Sequence, residues 1–262
     1  MWNRKCGRGE QMLKSFIIVL NGKKIRNYSI VILTAFVTAW FIYVQNTSIS
    51  IFHHFAEPVA LYKGKKGVAL TFNIAWGDKQ ADVMIDQLIK HEVKASTFFL
   101  SGSWAERHPN LVKKISEAGF EIGLLGYNYV DYEELEDSQI RRDIRQAEEV
   151  FKKLNIKTEK ILRAPTGHFD KRLIEIADSM GYTVVHWSIN TNDWKNPGVE
   201  TIIENVNPVK NGDIILLHAS DSARQTPIAL PEILKILEDK KLQLVTVTDM
   251  LLEGDAQTEE IH

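Results

Sequence analysis

The stretch GVALTFNIAWGD, residues 67–78, decides how this chain folds. Its apolar run, residues 68–74, stops at the tripeptide WGD, as a buried first strand does where it ends in a tight loop. Polar groups at such a strand end are natural candidates for a functional site. Asn73 lies near that end, and Asp78 precedes a helical pattern that it is placed to cap at the N-terminus.

Strand-like apolar runs and helical patterns alternate beyond this stretch, which is typical of a parallel α/β architecture. The predicted strands are residues 68–74, 95–100, 120–125, 161–164, 183–188, 213–218 and 242–247. The predicted helices are residues 79–91, 110–118, 137–154, 171–180, 199–206 and 231–239. Such units close into a barrel or remain an open doubly wound sheet. No Gly-rich phosphate loop follows the first strand, which argues against nucleotide binding.

If the strands are parallel, their carboxyl ends meet at one mouth of the sheet. The residues expected there are Asn73, Leu125, Arg163, Ser188 and His218. His218 ends the run DIILLHASD, where an imidazole can act as a general acid or base; a core histidine held by one backbone bond is the alternative. The guanidinium of Arg163 is expected to meet a carboxylate or substrate near the mouth, with a surface ion pair as the alternative.

The segment SINTNDW supplies two further candidates, Asp193 and Trp194. Asp193 can orient a partner side chain, and Trp194 can form the floor of a groove. An ordinary Asn-Asp turn with a packed tryptophan explains the same residues.

Composition describes a globular chain with an appendage: 262 residues, 44% of them hydrophobic and 25% charged. The charge is unevenly distributed, because residues 1–26 hold seven Lys or Arg against one acid, and the rest holds 25 basic against 33 acidic residues. An acidic body has no basic surface for a phosphate backbone, so no nucleic-acid partner is expected. The single cysteine, Cys6, excludes an internal disulfide and a cysteine-rich metal site.

Residues 27–52 contain no charged side chain, and residues 30–44 form an apolar segment broken only by two threonines. With its flanks this segment reaches the roughly 20 residues that cross a bilayer, and the basic cluster before it predicts a cytoplasmic N-terminus. A cleavable secretory signal or a buried core helix is the alternative. The predicted order is a basic cytoplasmic segment 1–26, a transmembrane anchor 27–45, a linker 46–66, a domain 67–252 outside the cytoplasm and an acidic tail 253–262.

Residues 67–252 resemble a polysaccharide deacetylase domain of the NodB-homology type. Five motifs occur in the order of that family: TFNIAWGD, EIGLLGYNY, RAPTG, WSINTNDW and LLH. The WGD after the first strand and the segments SWAERHP, GYNY, NDWKNPG and LLHASDSARQT are further similar to the sporulation-associated PdaB-like subgroup, whose members also carry an N-terminal membrane segment. The resemblance implies a distorted (β/α) barrel and an N-acetylated glycan such as peptidoglycan as the substrate class.

Metal-assisted amide hydrolysis is the usual chemistry of the family that the chain resembles, with zinc held by one Asp and two His, a second Asp as base and a His as acid. By motif position the metal ligands are replaced by Ile74, Leu125 and Tyr129, and the base by Asn73. Isoleucine and leucine have no donor atom, and an amide does not accept a proton at a useful pH. No zinc or other cofactor is therefore expected.

The other half of the family's site is retained, as far as the resemblance carries it over. His218 matches the general acid, Asp193 the carboxylate that orients it, Arg163 the partner of the base, Leu216 the pocket for the acetyl methyl group and Trp194 a wall of the groove. Trp76, Asp78 and Pro165 are further expected glycan-binding residues. Because residue 73 is not an Asp, Asp78 is the candidate to replace it as the ionic partner of Arg163.

Two functions follow from this resemblance and its departures. The first is a membrane-anchored hydrolase of sporulation that acts on peptidoglycan by an atypical mechanism, with a metal held instead by Asp78, Asp193 and His218 as one route. The second is an inactive deacetylase-like protein that binds glycan or a partner protein. A third interpretation is a stable barrel that has no site left and holds its tryptophans in the core.

Overall fold

The computed structural model of the protein describes residues 32–39 and 58–252. The chain divides into two compact units, residues 1–54 and 55–262. In the first unit residues 32–39 form a helix with exposed side chains. Among the described helices there is none whose length and apolar character would suffice to cross a bilayer. The segment 1–26, the rest of the predicted anchor 27–45 and the tail 253–262 lie outside the described residues.

One parallel sheet organises the described part of the second unit, with seven strands in the order β5-β4-β3-β2-β1-β7-β6. The strands are β1 (Ala69–Ile74), β2 (Thr97–Leu100), β3 (Glu121–Leu124), β4 (Ile161–Leu162), β5 (Thr183–Val184), β6 (Ile189–Asn190) and β7 (Ile214–His218). Strand β1 is buried along its whole length because β2 and β7 pair on its two sides. The sheet is a distorted α/β half-barrel, which confirms the predicted class of fold.

Helices connect the strands and cover the outer face of the sheet. Those in the described part of this unit are α1 (Gln80–Lys90), α2 (Gly102–Arg107), α3 (Pro109–Glu117), α4 (Asp137–Lys153), α5 (Lys171–Ser179), α6 (Val199–Val206), α7 (Thr226–Asp239) and α8 (Val247–Leu252). Leu70 and Phe72 of β1 pack on the helix side with Met84 of α1. The alternate residue Ala69 lies in the barrel interior with Phe99.

Three helices differ from the sequence prediction: α2, α7 and α8, the last of which lies where a strand was expected to end. Helix α2 was not predicted, and it begins where the Ser101 hydroxyl accepts a hydrogen bond from the backbone N–H of Trp104 at 3.3 Å. Helix α7 begins at Thr226, five residues before the predicted start, and Pro231 lies inside it. Proline has no backbone N–H, so one hydrogen bond of α7 is missing at Pro231, the residue at which the predicted helix began.

The predicted strand over residues 242–247 is wrong. Leu244 forms only an isolated bridge with Val68, and the chain then enters α8. The carboxylate of Glu121 holds the N-terminus of α8, because it accepts hydrogen bonds from the N–H groups of Val247 at 3.0 Å and Thr248 at 3.1 Å. The apolar run therefore ends in a helix that packs Val247 against the barrel interior.

The chain joins the sheet before residue 67. Leu61 is buried and exchanges backbone hydrogen bonds of 2.8 Å with Val184 and His186, on the edge beyond β5. Lys63 then forms an ion pair of 2.8 Å with Asp213, directly before β7. Residues 61–63, which were predicted to belong to the linker, thus bridge the open side of the half-barrel.

We predict that Glu121 makes stability depend on pH. Burial raises the pKa of its carboxyl above the ordinary value, against the opposing hydrogen bonds from Thr248, Thr97 and Val247. A raised pKa in the folded state stabilises the protein at low pH, and this contribution is lost as the pH rises through that pKa. The unfolding free energy of the wild type, minus that of Glu121→Gln, should therefore fall in urea titrations as the pH rises above the ordinary range of a glutamate.

The matched control for this prediction is Glu117→Gln on the exposed end of α3, where the side chain is 67% exposed. Its difference from the wild type should stay nearly constant over the same pH range. A difference for Glu121→Gln that rises with pH would contradict the role of burial.

Candidate functional site

Two polar side chains meet at the carboxyl ends of β1 and β7. Asn73 is the register partner of His218, so the two side chains are neighbours on one face of the sheet. Asn73 is only 6% exposed, and His218 is partly exposed. The structure thus brings these two predicted residues together at the mouth of the half-barrel.

Arg163 lies behind Asn73, fully buried in the interior. Its Nη1 group donates to Asn73 Oδ1 and to Thr71 Oγ1, each at 2.9 Å. The other nitrogens donate to the carbonyls of Val185 at 3.2 Å and His186 at 3.0 Å. Burial lowers the pKa of Arg163 to about 9. Among the described residues every acceptor of this guanidinium is neutral, so the expected carboxylate partner is wrong there, and so is the alternative of a surface ion pair, because the side chain is buried. A contact with substrate stays a prediction.

His218 and Asp193 form a hydrogen-bonded dyad. The Nδ1 atom of His218 lies 2.8 Å from Asp193 Oδ1, and Asp193 is fully buried. A carboxylate only accepts, so the imidazole proton on this side lies on Nδ1 and Nε2 is left for the mouth. Asp193 also accepts from the backbone N–H of His218 at 2.7 Å and from the Thr226 hydroxyl at 2.6 Å. The carboxylate therefore holds the imidazole in one orientation.

A short turn positions Asp193 against β7. Residues Asp193–Lys195 form a 3-10 turn, and Asn192 before it has φ of 54°, a left-handed conformation that asparagine tolerates. The Thr191 hydroxyl donates to the carbonyl of Leu216 at 2.7 Å, which ties the turn to β7. The NTND sequence therefore sets the backbone geometry of the dyad, as well as one of its members.

The loop after β1 is held by Asp221, which comes from the segment after β7. Its carboxylate accepts from the backbone N–H groups of Asp78 at 3.1 Å, Lys79 at 3.0 Å and Gln80 at 2.9 Å. These hydrogen bonds lower the pKa of Asp221, against the opposing effect of burial. The predicted role of Asp78 as N-cap of α1 is wrong, since no side chain of the local sequence caps that helix and Asp221 reaches it from the opposite loop.

Asp78 itself forms an exposed pair with a histidine. Its side chain is 80% exposed, and its Oδ1 lies 2.7 Å from Nε2 of His108. The imidazole of His108 stacks on Trp104, which is fully buried and donates to the carbonyl of Gly77 at 2.8 Å. The hypothesis that Asp78 replaces the ionic partner of Arg163 is wrong for this reason.

A buried carboxylate also organises the loop after β3. Asp143 of α4 accepts from the backbone N–H of Tyr127 at 2.7 Å and from the Tyr132 hydroxyl at 2.7 Å. Gly126 has φ of 68°, and a Cβ atom there would lie 2.3 Å from the Tyr132 hydroxyl. This loop presents Tyr129, which is 56% exposed.

Ile74, Leu125 and Tyr129, which match the metal ligands of polysaccharide deacetylases by motif position, do not form a site for a metal ion. Ile74 and Leu125 are fully buried, Ile74 in the helix-side core and Leu125 in the barrel interior. Neither carries a donor atom, and a single tyrosine is a poor site. Within residues 32–39 and 58–252, no group of three His, Cys, Asp or Glu could hold an ion. The alternative ligand set of Asp78, Asp193 and His218 is thus not assembled.

The remaining residues predicted to bind the glycan divide into exposed and buried ones. Trp76 and Trp194 are 49% and 47% exposed, and the ammonium of Lys195 lies 5.0 Å from the Trp194 ring. Pro165 and Leu216 are buried. Leu216 lies two residues before His218 on the same face of β7.

Ser188 was expected at the mouth, and this is wrong. Its hydroxyl donates to Asp213 Oδ1 at 2.9 Å, at the residue before β7, so it lies at the opposite end of the strands. The strand that was predicted through residue 188 stops at Val184, and a separate strand, β6, begins at Ile189.

Several residues that build the site were missed in the sequence. They are Thr71, His108, Asp143, Asp221 and Thr226. A signal was present for Asp143, because it is a charged residue on the apolar face of α4, between Ile140 and Ile144. No comparable local signal marks Asp221, whose partners lie more than 140 positions away.

The sequences of known proteins identify the family of this chain. A family model described as polysaccharide deacetylase matches residues 61–185. The peptidoglycan-N-acetylglucosamine deacetylase of Bacillus cereus is 34% identical over 191 residues, which span 71% of this chain and 89% of that protein. The chain therefore belongs to the polysaccharide deacetylase family.

Similar proteins include an uncharacterized relative and a protein described as a pseudoenzyme, in addition to this deacetylase. An uncharacterized protein of Bacillus subtilis, YlxY, is 34% identical over 202 residues, which cover 75% of this chain and 62% of that protein, so the match spans less than two thirds of it. The structure of BA3943 from Bacillus anthracis, described as a CE4 family pseudoenzyme, aligns with a TM-score of 0.69 and 28% identity over 75% of this chain and 70% of that one. A mutant of BA3943 is described as having restored enzymatic activity.

We predict that Asp221→Ala lowers the unfolding free energy by about 1–3 kcal/mol, because three backbone donors at the start of α1 lose their acceptor. Asp78→Ala should cost less than about 1 kcal/mol, because its pair with His108 is exposed to solvent. Urea denaturation of both variants measures the two values. Equal losses would show that Asp221 does not hold the loop.

Proposed function

We propose that this chain is a non-hydrolytic member of the polysaccharide deacetylase family that binds N-acetylated cell-wall glycan at the mouth of its half-barrel. One observation carries the proposal: the positions that hold the metal in the family are filled by buried aliphatic side chains, Ile74 and Leu125, while the mouth around them is intact. Peptidoglycan is the proposed glycan, because the family's Bacillus cereus member is a peptidoglycan-N-acetylglucosamine deacetylase.

The chemistry of hydrolysis lacks two components. Asn73 accepts a hydrogen bond from Arg163 through its amide oxygen, and an amide does not take a proton from water. A positioned base contributes typically about 100- to 10,000-fold to a rate. A Lewis acid adds several kcal/mol of transition-state stabilisation, and Ile74 and Leu125 provide no ligand for one. The two losses compound.

The capacity to bind a sugar is retained. Trp76 and Trp194 present about half of their surface to solvent at the loops that follow β1 and β6. An exposed aromatic face packs well on the apolar face of a pyranose ring, and exposed tryptophans are a costly surface without such a role. The dyad of His218 and Asp193 adds a fixed polar group at the same mouth.

A feeble hydrolase is the second candidate, and the dyad favours it. His218 has the geometry of a general acid, oriented by Asp193 at 2.8 Å. An enzyme that had lost only its base would keep this arrangement. The two candidates differ in whether acetate is ever released.

The cellular setting is part of the proposal. The uncharged segment 27–52 behind the basic residues 1–26 supports a single-pass membrane anchor at 27–45, with the domain outside the cytoplasm. The similarity of the WGD, GYNY and LLHASDSARQT segments to the PdaB-like subgroup supports a role in sporulation, at the spore envelope. A protease-protection assay on intact cells tests the orientation, and a protected, cytoplasmic C-terminal domain would overturn it.

The first test measures acetate release and glycan binding together on the full-length protein. We expect saturable binding of peptidoglycan fragments, no release of acetate and no stoichiometric metal. Acetate release that depends on bound zinc would contradict the proposal.

Stepwise restoration of the family residues extends this test. Asn73→Asp alone should release no acetate, because a base without a Lewis acid has no activated water to deprotonate. The combination of Asn73→Asp with Ile74→Asp, Leu125→His and Tyr129→His should bind zinc, measured by calorimetry, and release acetate. Activity of Asn73→Asp alone would instead support the feeble hydrolase.

We predict that Trp76→Ala and Trp194→Ala each weaken glycan binding about three- to tenfold, which corresponds to about 0.6–1.4 kcal/mol of lost aromatic contact. Both side chains are about half exposed, so the melting temperature should change little. Ile89→Ala is the matched control, since Ile89 is 47% exposed at the far end of α1. Equal weakening by the control would remove the tryptophans from the binding site.

A further inference from the structure

Arg163 carries a charge that is not neutralised by any carboxylate in the part of the chain that the structure describes. Its guanidinium is 0% exposed and donates to four acceptors. These are Thr71 Oγ1, Asn73 Oδ1 and the carbonyls of Val185 and His186. All four are neutral. Buried charges in proteins are normally paired with an opposite charge, so this cation favours any anion that comes near it.

No described group that contacts the guanidinium carries a negative charge, although aromatic rings face it. It stacks on the Phe99 ring at 4.0 Å and lies 5.6 Å from the Trp187 ring. The neighbouring imidazole of His186 gains no proton, because burial first and the charge of Arg163 second lower its pKa to about 4. Neighbouring side chains therefore feel the uncompensated positive field of Arg163.

Asn73 carries this field to the mouth. A guanidinium only donates, so the amide oxygen of Asn73 faces Arg163 and the amide nitrogen lies at the other end of the group. That nitrogen donates to no acceptor among the described residues, and it is open to solvent at the mouth, because Asn73 is 6% exposed and its nitrogen is not one of the fully buried polar atoms that lack a partner. A donor polarised by a cation behind it is a stronger donor than a free amide. His218, the register partner of Asn73, flanks the same spot with its Nε2 atom.

We infer that the spot between Asn73 and His218 binds a carboxylate of the glycan, so that the preferred ligand is an acidic N-acetylated glycan and not a neutral one. The inference rests on the proposed glycan-binding function. A carboxylate accepts from the free Asn73 amide and places its negative charge on the mouth side of Arg163. A neutral acetamido carbonyl accepts the same hydrogen bond but leaves the charge of Arg163 unpaired.

Asn73, where the family has an Asp, changes the charge that the mouth presents to a ligand from negative to positive. An Asp there would neutralise Arg163 and repel a second carboxylate at the mouth. The Asn keeps nearly the same shape, removes the negative charge and exposes a donor in its place. The change that removes the base of hydrolysis thus also creates a preference for anions.

The experiment compares two forms of one ligand on the full-length protein by calorimetry. The ligand is a peptidoglycan disaccharide whose lactyl group is either a free carboxylate or its methylamide. We expect the wild type to bind the free acid at least about tenfold more tightly. Asn73→Asp should lose this preference, because the new carboxylate removes the donor and repels the acid, while the methylamide, whose own N–H can donate to that carboxylate, should lose much less affinity. Its melting temperature should be unchanged or higher, since Arg163 gains a partner.

Lys195→Gln is the matched control. Lys195 is an exposed cation over the Trp194 ring, and its removal should leave the preference for the acid intact. Equal binding of the acid and the methylamide by the wild type, or a preference that survives in Asn73→Asp or disappears in Lys195→Gln, would overturn the inference and leave glycan binding standing. Failure to bind either ligand would overturn the proposed function itself.

Discussion

The guanidinium of Arg163 is the interaction on which the interior of the half-barrel depends. It donates to Thr71 and Asn73 on β1, and to the carbonyls of Val185 and His186 beyond β5. One side chain thereby links the centre of the sheet to its edge across the barrel interior, with Phe99 packed on its face. Apolar residues in its place would leave those hydroxyl, amide and carbonyl groups without donors, at a cost of about 1–3 kcal/mol for each unsatisfied group.

Protein groups hold each part of the mouth in place. Asp193 is fixed by the backbone of β7, by Thr226 and by its own turn. Ile74 and Leu125 fill their positions as core residues, with no exposed surface. A metal site that is replaced by well-packed aliphatic side chains leaves no cavity behind. Loss of the ligands and preservation of the fold are therefore compatible in this chain.

The sequence predicts the sheet and most helices because their signals are local. Strand β1, Ala69–Ile74, is buried along its whole length, and the apolar run of residues 68–74 indicates this directly. The run 242–247 has the same appearance, yet a carboxylate from β3, Glu121, captures the backbone N–H groups that start α8. The apolar pattern of residues 242–247 gives no information about Glu121, because that residue is distant in the sequence. The candidate residues Asn73, Arg163, Asp193 and His218 do come together, since parallel strands share one end. The predicted partners of these residues were wrong where an ion pair was expected. Asp78 was expected to pair with Arg163, but it pairs with His108.

The pairing of β1 with β7 also determines when the mouth comes into existence. The Thr71 hydroxyl bonds a carbonyl 144 residues further along the chain, and Asp221 holds a loop at a similar separation. Contacts between such distant residues form late in folding, because a long loop must close first. A nascent chain that has emerged only as far as β5 contains Asn73 and Arg163 but has no neighbour for β1 on its β7 side. The mouth therefore becomes available to a ligand only after nearly the whole domain has been synthesised.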